Sequence, residues 1–296
     1  MPLISQHQSL HTTRLIIAAH SGAGKTGSLA SLAAAGYNLR ILDFDNGCDV
    51  LRDLVLSDNP KFKPLYKDRG AAERISFETL TESYKLVGGK AVPSTAKGWE
   101  RMTRLLENWK SGDQDFGPVT TWGPQDVLVI DSSTGCAKAA YYHICAMNGK
   151  LLSQPEGYEW QRAIGAAQAL FENLMDMLTS EALKCNVILM AHINYQDEPG
   201  TARTDQNETV PQQGFINVIG RASGPRVPRR FNSMIQIKKL GASRRLVTET
   251  LDKIDLKTAA PSKVKRDYSL ETGLAEFFAD LRGGASPAAQ LERKAS

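Results

Sequence analysis

Short apolar runs alternate with helical patterns in the first part of the chain. Residues 15–19 (LIIAA) are apolar at every position, which is typical of a strand buried on both faces of a sheet. The stretch SLASLAAAG that follows is rich in helix formers and stops at Gly36, a C-cap residue, and NLRILDFD then indicates a second buried strand. Strand, helix and strand in about 30 residues predict a parallel sheet with a crossover helix.

The same patterns continue downstream. DVLVID (126–131) and NVILMAHIN (186–194) indicate two more buried strands, separated by a helix at 137–147 and a long amphipathic helix at 159–183. FNSMIQIKKLG and RRLVTETLDKIDLKT alternate as the strands of a hairpin or meander do, and YSLETGLAEFFADLR indicates a short terminal helix. The pattern predicts an α/β fold with a mostly parallel central sheet, flanking helices and a C-terminal antiparallel strand segment.

This organisation suggests one domain over residues 12–282, between a flexible leader (1–11) and a flexible tail (283–296). Residues 57–125 are interrupted by Pro and Gly and form a variable, insertion-like region, although RISFETL indicates a strand and TAKGWERMTRLLENWKSG an amphipathic helix. Residues 196–222 are polar and Gly-rich without clear periodicity. We expect a mobile loop there, because loops of this length in compact domains are usually functional or disordered.

Composition narrows the class of protein. The 296 residues are 42% hydrophobic, which allows a substantial core, and no apolar run approaches the ~18 residues of a membrane span. The N-terminal residues lack a signal-peptide pattern and the four cysteines form no CxxC pair, so we expect a cytoplasmic protein without membrane contact.

Residues 221–266 carry 13 Lys/Arg against three acidic residues, a local net charge of +10, which leaves −6 for the remainder. Such asymmetry indicates either a polyanion partner or a solvated basic face.

The strongest chemical signal is AHSGAGKT at residues 19–26, directly after the first strand. It fits the phosphate-binding loop GxxxxGK[ST] except that Ala19 replaces the first Gly. Gly22 and Gly24 allow the backbone to curl around phosphates, Lys25 would reach the β- and γ-phosphates, and the Thr26 hydroxyl would ligate Mg²⁺. The predicted cofactors are ATP and Mg²⁺, and the predicted phosphate cradle consists of Ser21, Gly22, Ala23, Gly24, Lys25, Thr26 and Gly27.

A second motif, which contains an acidic residue, supports this site. The apolar run at 127–130 leads into Asp131, about 105 residues after the phosphate loop. An apolar strand ending in Asp is the form of the Walker B element, whose carboxylate holds Mg²⁺. We therefore predict that Asp131 completes the metal site with Thr26.

The order of these elements resembles the RecA-like recombinase core, and within it the compact phage-encoded nucleotide-binding or single-strand annealing ATPases. The resemblance covers roughly residues 12–282, with 57–125 matching only in outline. It implies an ATP-hydrolysing protein that acts on single-stranded DNA in phage recombination, annealing or replication. It also implies a homo-oligomeric ring or filament in the host cytoplasm, with a single-strand-binding protein as a further partner.

The resemblance assigns two more roles at the nucleotide. The family's D-x-E element, whose carboxylate positions the attacking water, matches ILDFDNG and places Asp45 at that point, with Asp43 two residues earlier. The sequence departs from the family here, because Asp is one methylene shorter than Glu. In LMAHIN, His192 lies where the family has a Gln or similar polar residue that senses the γ-phosphate, and a histidine can donate the required hydrogen bond. The alternative is a strand-end histidine with a structural role.

The resemblance also implies contacts beyond a single subunit. DLKTAAPSK resembles the segment that lends a cation to the neighbour's γ-phosphate, which points to Lys257. A second family cation would fall on Asp255 and is therefore missing, so Arg244 and Arg245 are substitutes to consider. The two DNA loops of the family correspond to 148–158 and 196–222, and the second contains the candidate DNA-binding residues Arg203 and Arg221.

Two other functions remain open from the sequence. A small-molecule kinase would need an Arg-rich lid, and GRASGPRVPRR (220–230) could form one. An annealing or scaffold module could bind ATP with little turnover, as the shorter carboxylate at position 45 would allow.

Overall fold

The computed structural model describes residues 11–153, 155–197, 212–241, 243–251 and 253–284. Its strands are β1 (Arg14–Ala19), β2 (Asn38–Asp43), β3 (Ile75–Thr79), β4 (Tyr84–Val87), β5 (Lys90–Pro93), β6 (Lys110–Ser111), β7 (Gln114–Asp115), β8 (Asp126–Asp131), β9 (Asn186–Asp197), β10 (Gln212–Ile216), β11 (Ser233–Leu240), β12 (Ser243–Val247) and β13 (Asp267–Ser269). Its helices are α1 (Lys25–Ser28), α2 (Ala30–Ala34), α3 (Cys48–Leu56), α4 (Gly98–Glu107), α5 (Ser133–Met147), α6 (Gly157–Thr179), α7 (Gly220–Arg226) and α8 (Gly273–Leu281).

A single large sheet organises the molecule. Its strand order is β13-β12-β11-β1-β9-β8-β2-β3, with β10 paired to the end of β9. The six strands from β11 to β3 run parallel, whereas β12 and β13 are antiparallel and β10 runs antiparallel to β9. This confirms the predicted α/β fold class with a mostly parallel sheet and a C-terminal antiparallel segment.

The strand order determines which residues meet at the carboxyl edge of the sheet. β9 lies between β1 and β8, so its end is adjacent to both the phosphate loop and Asp131. The register pairs Ala19 with His192 and Asp43 with Asp131. Because ligands of open α/β sheets bind at the carboxyl ends of parallel strands, this edge is where the predicted site residues converge.

Helices cover both faces of the sheet, and β1 contributes buried side chains to both faces. Ile16 and Ala18 pack into the cluster formed with α4, α5 and α6, while Leu15, Ile17 and Ala19 pack into the cluster formed with α2, α3 and α8. All five side chains are fully buried. Burial of each large aliphatic side chain contributes about 1.5–3 kcal/mol, which explains the continuous apolar run in the sequence.

The variable region 57–125 takes part in this core. Its predicted strand is β3, which pairs with β2 at the edge of the sheet, and its predicted helix is α4. Trp99 and Met102 of α4 are buried, and Trp109 is fully buried with its Nε1 donating to Ser76 Oγ at 3.1 Å. Two small hairpins, β4–β5 and β6–β7, project from this region.

Several predicted boundaries need correction. Part of the segment 196–222, expected as one loop, is regular structure: β9 continues to 197, residues 212–216 form β10, and α7 begins at Gly220. The remainder, 198–211, lies outside the described residues. The long helix ends at Thr179 rather than at 183, because Ser180 is already extended. The second C-terminal strand ends at Val247, and Tyr268 belongs to β13 rather than to the last helix.

The described part of the chain contains no helix of sufficient length and apolar character to span a bilayer.

Candidate active site

The phosphate loop connects β1 to α1 with a backbone that needs glycine at two positions. Gly22 and Gly24 have positive φ angles of 71° and 101°. At Gly24 a Cβ would lie 2.8 Å from a methyl group of Leu270, which would have to move, and the positive φ is the stronger reason for glycine there. Ala19 is still part of β1 and is fully buried, which explains why this loop tolerates a methyl group at its first position.

Lys25 lies inside the site rather than in solvent. Its Nζ is 3.4 Å from the carbonyl oxygen of His20, 3.5 Å from that of Ala19 and 3.3 Å from Nδ1 of His192. Burial lowers the pKa of Lys25, and the carboxylates of Asp131 and Asp45 partly oppose this. The lysine is thus held by weak neutral acceptors, for which phosphate oxygens are stronger replacements.

Thr26 and Asp131 meet as the sequence predicts for a metal site. Thr26 Oγ1 donates to Asp131 Oδ2 at 2.5 Å, and Asp131 is only 3% exposed. Burial raises the pKa of Asp131 to about 6, the Thr26 hydrogen bond opposes the rise, and the charges of Asp45 and Asp43 reinforce it.

The donor set here suits Mg²⁺, since it offers hydroxyl and carboxylate oxygens and an excess of negative charge. No group of three His, Cys, Asp or Glu side chains among the described residues could hold a metal by itself. Mg²⁺ usually keeps several waters and binds through one or two protein oxygens together with substrate phosphates, so Thr26 and Asp131 would hold it in company with ATP.

Asp43 and Asp45 have different roles although they are two residues apart. The Asp43 carboxylate is buried and accepts from the amides of Gly47 at 3.0 Å and Cys48 at 3.3 Å, which fixes the start of α3. Asp45 is partly exposed and lies 3.3 Å from Nε2 of His192. Asp45 is therefore the one with a carboxylate directed into the site.

Several groups keep Asp45 ionised. Burial by itself acts to raise its pKa, but hydrogen bonds from His192 and Ser132 and the positive charge of Lys25 outweigh this and leave the pKa lowered. A carboxylate in this condition is charged throughout the neutral range, as a group that orients water must be.

His192 joins Lys25 to Asp45. An ammonium group has no acceptor, so Nδ1 of His192 must accept from Lys25 Nζ. The proton of the neutral ring then lies on Nε2, which donates to Asp45. This arrangement of three residues, separated by up to 167 positions in the chain, was not predicted as a direct contact.

A second set of contacts at the site was missed by sequence reasoning. The Ser133 and Thr134 hydroxyls both donate to the carbonyl oxygen of Asn217, at 2.8 and 3.0 Å, and the Asn217 amide donates to the carbonyl of His192 at 2.7 Å. The end of β10 is thereby attached to both the start of α5 and the His192 backbone. The run of three hydroxyl side chains after Asp131, from Ser132 to Thr134, was the available signal in the sequence.

Gly135 is another residue that the sequence did not single out. A Cβ there would lie 2.5 Å from Phe44 Cβ and 2.9 Å from Asp45 Oδ1, so the first turn of α5 approaches Asp45 more closely than any larger residue would allow. Ser132 accepts from the Gly135 amide and caps this helix.

The backbone of Lys257 lies away from the phosphate loop. Its backbone pairs with Met234 through two hydrogen bonds of 2.7 and 3.1 Å, and Met234 is in register with Ile16. Ile16 precedes Ala19 by three residues, so Lys257 is anchored roughly 10 Å below the phosphate loop along the strand. Of the substitutes, Arg245 forms an ion pair with Asp267, while Arg244 is exposed near the end of β11.

The candidate DNA residues are only partly described. Arg203 lies outside the described residues, and Arg221 lies in the first turn of α7, where only its backbone is described. The segment considered as a kinase lid is not a free loop, because α7 packs on α6. Arg230 forms ion pairs with Glu172 and Asp176, and Ser223 Oγ donates to Glu172 at 2.7 Å.

Comparison with known proteins identifies a protein family that this chain matches. Residues 11–238 match the model of a family described as AAA domain. No curated protein matches this chain. Among solved structures, it is similar to an ATPase from the type III secretion system of pathogenic bacteria, at 13% identity and a TM-score of 0.39. That alignment covers 90% of this chain and 65% of the other, so this chain spans less than two thirds of its length.

Proposed function

The chain belongs to the AAA domain family of P-loop ATPases, and we propose that it is a RecA-like member that hydrolyses ATP and acts on single-stranded DNA. The observation that carries the proposal is the position of His192. Its side chain contacts Lys25 and Asp45, and its carbonyl contacts Asn217 at the end of β10. One residue thus touches the groups expected around the γ-phosphate and the strand that follows the segment 198–211.

We assign the catalytic roles from this geometry. Lys25 binds the phosphates, and the ionised Asp45 orients the attacking water. Thr26 and Asp131 would hold Mg²⁺, which would neutralise phosphate charge. When Lys25 turns to the phosphates it releases Nδ1 of His192, so the ring is free to respond to the nucleotide. His192 therefore acts as the residue that reports the γ-phosphate.

The surface around the start of α6 supports single-stranded DNA as the polyanion. Tyr158 and Trp160 are 73% and 48% exposed, and the Arg162 guanidinium lies 6.0 Å from the Tyr158 ring centre. A cavity of about 660 Å³ between α5 and α6 adjoins them, with Lys150 among its lining residues. Exposed aromatic rings beside cations are the combination that binds single strands by stacking and charge.

The position of Lys257 supports assembly. Because its backbone is anchored roughly 10 Å along the strand from its own phosphate loop, we infer that Lys257 reaches the γ-phosphate of a neighbouring copy. We therefore propose a ring or filament of identical subunits. A role in phage recombination, annealing or replication in the host cytoplasm, with a single-strand-binding protein as partner, rests on the sequence resemblance.

The deciding experiment is phosphate release measured with and without a single-stranded oligonucleotide, for the wild type and Lys25→Ala. We expect Mg²⁺-dependent turnover that the oligonucleotide stimulates and that the variant lacks. Turnover without any response to the oligonucleotide would reject the DNA part of the proposal, and equal turnover in Lys25→Ala would reject the site.

Oligonucleotide affinity, titrated with salt, tests the DNA surface. Tyr158→Ala and Trp160→Ala should each weaken binding by about 1–3 kcal/mol, the value of one stacked base. Arg203→Ala and Arg221→Ala should each flatten the slope of log K against log salt by about 0.7. Phe77→Ala, another half-exposed aromatic, is the matched control and should leave affinity unchanged.

A second candidate function is an annealing or scaffold module that binds ATP and hardly hydrolyses it. The observation that favours it is Asp45, which is shorter than the glutamate of the resembled family. Nucleotide-dependent oligonucleotide binding with negligible phosphate release in the wild type would select this candidate.

A further inference from the structure

The hairpin formed by β4 and β5, here called the arm (residues 84–93), is a separate two-stranded sheet with an exposed apolar face. Tyr84 pairs with Pro93 and Leu86 with Ala91, so these side chains share one face. Leu86 is 77% exposed, and Tyr84 is about half exposed. Two-stranded hairpins are marginal in water, and clustered exposed apolar side chains mark interaction surfaces.

The base of the arm is held firmly while its tip projects. The Glu82 carboxylate accepts from Thr95 Oγ1 at 2.8 Å and from the amides of Lys97 at 2.9 Å and Gly98 at 2.7 Å. The Tyr84 hydroxyl lies 3.3 Å from that of Tyr142 on α5. The arm is thus presented in a fixed position, which lowers the entropic cost of binding a partner.

The charge of the arm selects an acidic partner. Lys85 and Lys90 lie on the other face of the hairpin together with Val87, which is 46% exposed, and residues 83–99 contain no Asp or Glu. Within the described part of the chain, neither lysine forms an ion pair with an acidic side chain. This second face, apolar at Val87 and basic at Lys85 and Lys90, therefore fits a surface that carries apolar side chains together with free carboxylates.

The same chain carries such a surface on α3. Asp49, Val50, Asp53 and Leu56, here called the α3 face, lie on one side of the helix at ~100° per residue. Val50 is 57% and Leu56 50% exposed. In the part of the molecule that the structure describes, Asp49 and Asp53 have no cationic partner, unlike Asp58, which binds Lys63 and Lys67.

We propose that the arm of one copy docks on the α3 face of a second copy. Two different surfaces then form the contact, which makes it head-to-tail and able to build a ring or filament. The contact would also reach the nucleotide site, because a Cβ at Gly27 of the phosphate loop would lie only 3.6 Å from Val50 and 3.1 Å from Leu54. This last consequence rests on the proposed function; the docking itself does not.

Charge reversal tests the docking. Lys85→Glu/Lys90→Glu and Asp49→Lys/Asp53→Lys should each raise the dissociation constant of assembly by about tenfold or more, because two attractions become repulsions. Analytical ultracentrifugation of the full chain, with nucleotide and Mg²⁺ present, measures this. An equimolar mixture of the two variants should assemble again. The Glu-bearing arm of the first variant then meets the Lys-bearing α3 face of the second, and the unaltered arm of the second meets the unaltered α3 face of the first.

Two further variants separate docking from general charge effects. Val87→Ser should weaken assembly without changing charge, while Lys184→Glu, an exposed lysine elsewhere, should leave it unchanged. Assembly that is unaffected by both reversals, or a mixture that stays dissociated, would overturn the proposal. A monomeric wild type would do the same.

Binding measurements show which surface was misassigned if the proposal fails. A loss of fluorescent-ATP affinity in Asp49→Lys/Asp53→Lys with normal assembly would assign the α3 face to the nucleotide. A loss of oligonucleotide affinity in Lys85→Glu/Lys90→Glu with normal assembly would assign the arm to nucleic acid. Failure of the proposed function appears instead as wild-type assembly without DNA-stimulated turnover.

Discussion

Replacing Asp131 by Asn should stabilise the folded protein at neutral pH while removing a carboxylate from the proposed Mg²⁺ site. Asp131 is almost completely buried, and burial raises its pKa from 3.8 to about 6. Between these pH values the folded protein retains a proton that the unfolded chain has released, so the free energy of unfolding decreases as the pH rises through this window. Above pH 6 the full cost of the buried charge is present.

The size of this cost follows from the two pKa values. A rise from 3.8 to about 6 corresponds to about 3 kcal/mol at neutral pH. Asn keeps an oxygen that can accept from Thr26 Oγ1, so the variant removes the charge and preserves the hydrogen bond. For a domain of this size, about 3 kcal/mol corresponds to a melting temperature roughly 5–10 °C higher, as an upper limit.

Thermal unfolding with a metal chelator, at pH 7.5 and pH 4.5, measures the effect. Asp131→Asn should melt higher than the wild type at pH 7.5, and the gain should fall to about a third at pH 4.5, where Asp131 is neutral in the folded protein while most unfolded chains have already released the proton. Adding Mg·ATP at pH 7.5 should stabilise the wild type much more than the variant. The exposed Asp113→Asn is the matched control and should melt like the wild type throughout. An Asp131→Asn protein that gains no stability at pH 7.5, or gains it equally at pH 4.5, would refute the reasoning.

The other predictions concern turnover and coupling. Lys25→Ala should lose phosphate release and bind ATP weakly with an unchanged circular dichroism melt; normal release would exclude the loop from catalysis. Asp45→Asn should keep ATP binding and slow hydrolysis roughly 10²-fold. Asp43→Asn should mainly lower the free energy of unfolding, by about 0.5–2 kcal/mol for a lost helix cap. The opposite result in the hydrolysis and unfolding assays would exchange the roles of the two residues. Lys257→Ala should impair hydrolysis only in the assembled state, and mixing with Lys25→Ala should restore part of it; absence of rescue with assembly confirmed would argue against action in trans. His192→Ala should bind an oligonucleotide equally with ATP analogue and with ADP, and equal binding already in the wild type would reject the coupling.

Much of the fold could be predicted from local patterns. The apolar runs of β1, β2, β8 and β9 are long enough to identify buried parallel strands, and the phosphate loop identifies the edge at which they end. The boundaries were less predictable, as α6 shows. Its helical pattern continues to residue 183, yet the helix ends at Thr179, and the Arg14 guanidinium binds the carbonyls of Leu183 and Cys185 in the connection that follows.

The contacts of the site required the three-dimensional structure. No local pattern shows that β9 lies between β1 and β8, and this order is what brings His192 between Lys25 and Asp45. The contact of Asn217 with Ser133 and Thr134 likewise joins residues more than 80 positions apart. Residues 212–216 have little hydrophobic periodicity of their own, so the sequence indicated a loop. They form a strand because they pair with the end of β9, which the sequence does not show.

The shorter carboxylate at position 45 has a structural explanation that the sequence comparison does not provide. Gly135 brings the backbone of α5 so close that an added Cβ would lie 2.9 Å from Asp45 Oδ1, and His192 Nε2 lies 3.3 Å away on another side. A glutamate would place one more methylene beside Gly135 and His192 or would turn its carboxylate toward solvent, since the side chain at position 45 is 36% exposed. Asp45 keeps its carboxylate beside the start of α5 and next to His192 Nε2. We therefore propose that the departure from the resembled family is an adaptation of the site and that Asp45 keeps the water-positioning role.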